Sequence, residues 1–390
     1  MRNILRTAVL VSGLLAGTAL AAGPVNGVTD KEILIGTYTD LSGVTVSWGV
    51  NNSNAIRMAF DEVNAKGGIN GRKIRYIVED NQYQVPRSIQ AANKLINSDH
   101  VFLMIANGGT PMNNAVMPDQ LAKGVPNMFP LTAARSMYEP YNRLKFGLAA
   151  SYYDQTRAGV KYFVDKRGKK AICTMAQDTD FGRDVTDGVH DQLKAMHLTL
   201  AGETLHKPTD TDFSANVARM KSAKCDLVVI GGIVRDTIQI ISAIRKSGWD
   251  VEIMGNIATY ESTVATVPGG VTDGFYSVTS VLLMDPADPK PEVQNFVKNY
   301  TAKFGHAPNF PAQIGYSAAY LLVEGLTKAG RNLTLDSFIN GMESVKGYQD
   351  IFGSPAFTFG PKIRQGSNKS FLVQVKGGKW TQAEKDPIGY

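Results

Sequence analysis

The feature that most constrains this chain is an alternation, begun twice, of short apolar runs with helix-length segments. From residue 33 the runs ILIGTYTDLSG (33–43), KIRYIVED (73–80), VFLMIANGG (101–109) and VPNMFPLTA (125–133) are separated by helix-like stretches near 50–66, 86–98 and 112–123. Strands covered on both faces read as nearly unbroken apolar runs, and parallel neighbours need a crossover about as long as a helix. The series therefore predicts a parallel sheet sandwiched by helices. Within it, AIRMAFDEVNAKGGINGRKIRYIVEDNQ (55–82) reads as a helix stopped by glycine, a tight turn and a returning strand.

The pattern then restarts. A helix near 152–166 leads to KAICTMAQD (170–178), and helices near 182–196, 213–223 and 236–247 alternate with TLAGETLHK (199–207), CDLVVIGG (225–232), VEIMGNIAT (251–259) and DGFYSVTSVLL (273–283). A proline-rich loop after Leu283 turns helical, further helices follow near 314–329 and 335–345, and strand-like SFLVQVKGGKW (370–380) lies near the end. Neither unit is complete until these later segments are shared out. The expectation is an α/β fold of two doubly wound lobes, with the chain crossing between them more than once and forming a hinge on which they can close.

The N-terminus, MRNILRTAVLVSGLLAGTALAAGPVNG, carries Arg2 and Arg6, an apolar run from Ala8 to about Leu20, and Ala19-Leu20-Ala21 as a cleavage site. Residues 1–22 read as a secretory signal, with no cysteine after it for lipid attachment. Removing it takes two charges from a net charge of +6, leaving about +4 with no long basic run, which argues against a nucleic-acid partner. The remaining chain of about 368 residues exceeds what one core usually fills, so two domains are expected. Export permits a disulfide between Cys173 and Cys225, although two buried strand thiols are the plainer expectation. His100, His190, His197, His206 and His306 stand too far apart for a metal motif, and no cofactor is expected.

ILIGTYTDLSG followed by WGVNNSNAIRMAFDEVNAKGGINGRKIRYIVED resembles the first βαβ unit of the leucine/isoleucine/valine-type periplasmic solute-binding proteins that serve ABC importers. The resemblance continues through DTDFGRDV, TDFSANVARMKSAKCDLVVIGG and SFLVQVKGGKW. It implies a type I periplasmic binding fold with three crossovers, and a solute held between the lobes at the carboxyl ends of the strands, as open α/β sheets favour. It also implies docking of the closed form on membrane permease subunits. Residues 27–150 plus about 281–353 would form lobe one, and 151–280 plus about 354–390 lobe two.

In such proteins a ligand carboxylate is held by backbone N–H groups and a hydroxyl after the third strand, which here are Asn107, Gly108, Gly109 and Thr110, just before a helix start that favours an anion. A second loop contains Leu131 and Thr132, with Ala133 aligned where amino-acid binders carry a threonine. One hydroxyl is thus missing unless Thr132 substitutes. Trp48, Tyr152 and Phe181 supply aromatic walls, and Arg235 a positive group at a helix start. Amino-acid binders also place a glutamate for the ammonium where Ile257 stands; Tyr260 follows, and Glu261 could reach the cleft only if the loop were shifted.

The expected function is therefore the periplasmic, exported and soluble solute-binding component of an ABC importer. It would be monomeric and take a small carboxylate with an apolar, aromatic body, of the benzoate, cinnamate or aryl keto acid kind. A branched-chain amino acid bound through Glu261 is the alternative ligand, and a periplasmic sensor is the alternative role. No nucleophile elbow, phosphate-binding loop or metal cluster points to an enzyme.

Overall fold

A computed structural model describes residues 25–390. The secretory signal read at residues 1–22 lies outside the described residues. The chain opens with β1 (Glu32–Thr39), α1 (Val46–Ala65), β2 (Lys73–Asp80), α2 (Val85–Asn97), β3 (Leu103–Ile105), α3 (Thr110–Ala122), β4 (Asn127–Met128) and β5 (Lys145–Phe146). These strands form one parallel sheet in the order β2-β1-β3-β4-β5. At the turn between α1 and β2, Gly68 sits at φ 79°, and a Cβ there would lie 1.9 Å from the Arg72 carbonyl oxygen. Only glycine lets the helix end and the strand start pack that closely.

After Phe146 the chain crosses into α4 (Tyr152–Arg167), β6 (Ile172–Gln177), α5 (Asp180–Ala195), β7 (Gly202–His206), α6 (Ser214–Ser222), β8 (Leu227–Gly231), α7 (Val234–Lys246), β9 (Glu252–Asn256), the short α8 (Ser262–Ala265) and β10 (Tyr276–Thr279). It returns through α9 (Pro291–Phe304), α10 (Phe310–Ala329) and α11 (Leu335–Glu343), then ends in β11 (Phe371–Lys376) and β12 (Lys379–Gln382). The second sheet has the order β12-β11-β10-β9-β8-β6-β7, parallel except where β11 meets β10 and β12.

The cores follow the sheets. One packs Ile35, Ile56, Phe60, Ile105, Phe146 and Phe296 with the buried faces of α10 and α11. Two others flank the second sheet, around Phe163, Val185 and Leu227 on one face and Ile230, Ile241 and Phe275 on the other. Phe357 and Phe359 belong to the first core, and Gly366 N–H still bonds to the Gly147 carbonyl. The last crossing into the second sheet thus lies between 366 and 371, later than the expected boundary at 354. The reason is volume: Phe359 fills the space beside Phe129 and Phe146, with ring centroids 5.7 and 5.5 Å away.

Cys173 and Cys225 are joined in a disulfide with Cα atoms 5.8 Å apart, so the plainer expectation of two free thiols is corrected. Parallel pairing of β6 with β8 sets Ile172 opposite Leu227 and thereby brings β6 alongside the residues entering β8. The strand expected over 370–380 is a hairpin, with β11 and β12 joined at Gly377-Gly378.

Candidate functional site

The strand ends of both sheets face a cavity of about 430 Å³. Its first wall is built by the loop after β1. Buried Asp40 accepts hydrogen bonds from the backbone N–H of Ser42 (3.2 Å) and Thr45 (2.7 Å) and from the Thr45 hydroxyl (2.8 Å), folding the loop so that Thr45, Val46 and Trp48 line the cavity. Trp48 is braced edge-on by Phe310, 6.0 Å between centroids. At Gly49 a Cβ would come within 2.0 Å of the Asp40 carbonyl oxygen, so the start of α1 can approach β1 only with glycine there.

The second wall comes from the loops after β3 and β4. Gly108, Gly109, Thr110, Leu131 and Thr132 all line the cavity, but the expected donor set needs correction. The Gly108 N–H is bonded to the Tyr38 carbonyl (2.9 Å) and the Gly109 N–H to the Leu131 carbonyl (3.3 Å), because these residues continue the sheet edge-to-edge beyond its strands. Asn107 is fully buried and does not line the cavity. Its amide donates to Asn127 Oδ1 (3.0 Å), while Asn113 holds the carbonyls of Asn107 (2.9 Å) and Gly109 (2.8 Å). Asparagine here is scaffold for the loop.

Also on this wall is the Thr110 and Thr132 pair, with their hydroxyl oxygens 2.6 Å apart. One hydroxyl hydrogen bridges the two oxygens, and the Thr132 hydroxyl also lies beside the Tyr152 phenol. Thr110 is also the first residue of α3, where unpaired N–H groups and the helix dipole favour negative charge. Thr132, next to Ala133, is the residue of that loop whose hydroxyl meets Thr110.

From the second-sheet side come Tyr152, at the start of α4, and Phe181, at the start of α5. Their rings stack edge-to-face with centroids 4.8 Å apart, and the Tyr152 phenol is pushed up by burial. Ile257 and Ala258, in the turn after β9, close the cavity there. Arg235, in the first turn of α7, is the one charged residue lining the cavity among the described residues. Its guanidinium donates to the Pro208 carbonyl and to Asp236 Oδ1 (3.1 Å). Asp236 is fully buried and is also held by Gln177 (2.5 Å) and approached by His206 Nε2 (3.4 Å).

Tyr260, expected in the site, and Glu261, expected to reach it only if its loop were shifted, lie elsewhere. Tyr260 is outside the lining: its ring packs on Phe310 and Trp380 at 4.8 and 5.0 Å, and its hydroxyl accepts from the Leu283 N–H at 3.1 Å. Glu261 caps α8 through the Thr263 N–H (2.7 Å), accepts from Asn309 (3.3 Å), and has its carboxyl pushed up by burial. It does not line the cavity. Sequence reasoning missed Thr39, Tyr83, Met137, Ile233 and Val281 as lining residues. For Ile233, adjacency to Arg235 was a usable signal, and for Val281 its place at a crossover. Tyr83 carried none, since it reaches the cavity from the loop after β2.

Two doubly wound sheets facing one cavity across several chain crossings is the arrangement shared with known proteins. The family model described as periplasmic binding protein matches residues 32–379. The chain belongs to the periplasmic binding protein family. Among curated relatives of this family, the leucine-specific-binding protein of Salmonella typhimurium is 23% identical over 344 residues, 86% of this chain and 90% of that protein. The Leu/Ile/Val-binding protein of Escherichia coli is 22% identical over 268 residues, 67% of this chain and 72% of that protein. Among solved structures of the fold, a fatty acid ABC transporter substrate-binding protein from Thermomonospora curvata aligns with a TM-score of 0.83 at 23% identity, covering 94% of each chain. A branched-chain amino acid ABC transporter protein from Thermus thermophilus, with bound valine, aligns at 0.83 and 16% identity, covering 92% of this chain and 97% of that one. The fold is that of type I periplasmic binding proteins.

Proposed function

We propose that this periplasmic binding protein is the exported solute-receiving component of an ABC importer, and that its solute is a small carboxylate with an apolar, aromatic body. Benzoate-, cinnamate- and aryl-keto-acid-like compounds fit this description. The observation that carries the reading is the absence of any aspartate or glutamate from the cavity lining among the described residues, with Arg235 the single charged group and the Thr110–Thr132 pair beside a helix start. An α-ammonium enclosed there would lose its hydration without gaining a carboxylate partner, at a cost of several kcal/mol. A carboxylate, by contrast, meets a hydroxyl and a helix N-terminus, with the lining guanidinium of Arg235 already paired to Asp236.

Size supports the same class. A cavity of about 430 Å³ lies within the ~300–1,000 Å³ range of drug-sized sites and is roomy for a branched-chain side chain. The aromatic surfaces of Trp48, Tyr152 and Phe181 suit a flat body. The two lobes that close on the solute are taken to be residues 27–150 with about 281–366, and 151–280 with about 367–390. The protein acts as a monomer, releases its solute chemically unchanged, and hands it to permease subunits in the membrane.

A branched-chain amino acid is the second reading, favoured by the names of the curated relatives. It requires Glu261 to leave Asn309 and Thr263 and turn into the cavity. Matched pairs separate the two readings in a thermal-shift experiment, since a ligand that binds only the folded state raises the melting temperature by mass action. Phenylpyruvate should stabilise and phenylalanine should not, and 4-methyl-2-oxopentanoate should outperform leucine. Stabilisation by the amino acids alone would sink the carboxylate reading. Thr110→Val combined with Thr132→Val should weaken the acid that binds by about tenfold or more, the loss expected for removing a hydrogen bond to a charged group.

A further inference from the structure

Outside the cavity, a polar depression of about 580 Å³ lies where α5 meets the segment after β4. Arg135, in a short 3₁₀ turn of that segment, reaches across to α5. Its backbone N–H donates to Asp184 Oδ2 (3.2 Å), its Nε lies 3.6 Å from Asp184 Oδ1, and its Nη2 donates to Asp187 Oδ2 (3.1 Å). The guanidinium also stacks on Tyr153 of α4, 4.0 Å from the ring centroid. Beside it, Ser136 donates to Asn114 Oδ1 (2.8 Å), and Asn114 donates to Asp180 Oδ2 (2.9 Å). Asp180, Asp184 and Asp187 follow i, i+4, i+7 spacing, so one face of α5 meets this set of ties. Phe181, next to Asp180, carries the aromatic wall of the cavity.

We propose that Arg135 is a positioning residue that sets the width of the cleft: by gripping Asp184 and Asp187 it holds the start of α5, and with it Phe181, against the Thr110–Thr132 wall. An exposed ion pair alone would do little of this. Asp184, however, is only 8% exposed. Removing its guanidinium leaves a nearly buried carboxylate without its counter-charge, and at a pH high enough to keep that carboxyl ionised the relief is for the two sheets to part and admit water. Arg135 thus acts through α5 and need not touch the solute. The proposal gains its functional meaning from the reading of the cavity as the solute site, but its test needs no solute.

Small-angle scattering of the ligand-free protein at pH 8 reads the cleft directly. Arg135→Ala should shift the radius of gyration upward relative to the unaltered protein. Adding Asp184→Asn should move it back, because the unpaired charge has been removed. Arg135→Gln, which keeps much of the side-chain volume, should repeat the upward shift and serves if the alanine variant folds poorly by circular dichroism. Superimposable profiles for the Arg135 variants and the unaltered protein would overturn the proposal. So would a double variant as expanded as the single one, since the charge would then not be the cause. Failure of the carboxylate reading shows separately, as acids that do not raise the melting temperature.

Discussion

Gly49 shows how tightly a single position can be determined. Placed in the first turns of α1, it would normally gain about 1 kcal/mol of helix stability on replacement by alanine. The added methyl, however, would sit 2.0 Å from the Asp40 carbonyl oxygen, and backbone on both sides cannot give way cheaply. The clash should win. Gly49→Ala is expected to lose about 1–3 kcal/mol in urea denaturation, the range for overpacking a filled site, and to displace the Trp48 wall. Near-UV circular dichroism of the tryptophans checks the second effect. Equal or greater stability would mean the Asp40 loop is looser than its four hydrogen bonds from Ser42, Gly43 and Thr45 indicate.

At the scale of elements, the disulfide and the hairpin behave differently in what they let a reader foresee. Cys173–Cys225 closes a loop with a sequence separation of 52 inside the second sheet. Chain-entropy reasoning puts the stabilisation between the ~3 and ~4.7 kcal/mol of shorter and longer loops. The double variant Cys173→Ala with Cys225→Ala should therefore lose about 3–4.7 kcal/mol in denaturant unfolding, and an unchanged midpoint would show the bond to be energetically idle. The bond was hard to foresee because it depends on β8 pairing with β6 across an intervening β7, a register no local pattern states. The hairpin was legible: Gly377-Gly378 between apolar runs is a two-residue turn signal, and reading 370–380 as one strand ignored it. The βα alternation itself was clear because both faces of each sheet are covered, which makes its strands unbroken apolar runs. The cavity lining was readable where residues sit at strand ends or helix starts, as Thr110, Phe181 and Arg235 do. It was unreadable where a side chain's direction decides, as with Asn107 and Tyr260.

For the molecule as a whole, the junction of the two sheets should leave a mark on acid stability. Asp184 is pushed up to about 6, burial outweighing its pairing with Arg135. Arg183, Asp180 and Asp187 share its helix, Tyr153 faces it from α4, and Arg135 and Glu139 face it from the segment after β4. A carboxyl raised in the folded state contributes stability that is fully present below its ordinary value near 4 and lost as pH rises through about 6. Asp80, Asp154, Asp180 and Glu252 are held low by hydrogen bonds and nearby cations and act in the opposite sense. The difference between the protein and Asp184→Asn therefore isolates the effect. Relative to that variant, the unaltered protein should gain melting temperature as pH falls from about 7 to about 4, and a constant difference would place Asp184 in water. The β11–β12 ribbon has a consequence in time rather than in energy. Val373 and Val375 fill cores of the second sheet, yet they arrive long after β10, whose edge they cover. A chain emerging from the ribosome, or threaded through a narrow channel, holds a β10 edge with nothing to pair until residue 371 follows. Its second sheet therefore cannot be completed until the last residues follow, and the open β10 edge is the place where another strand could pair in the meantime.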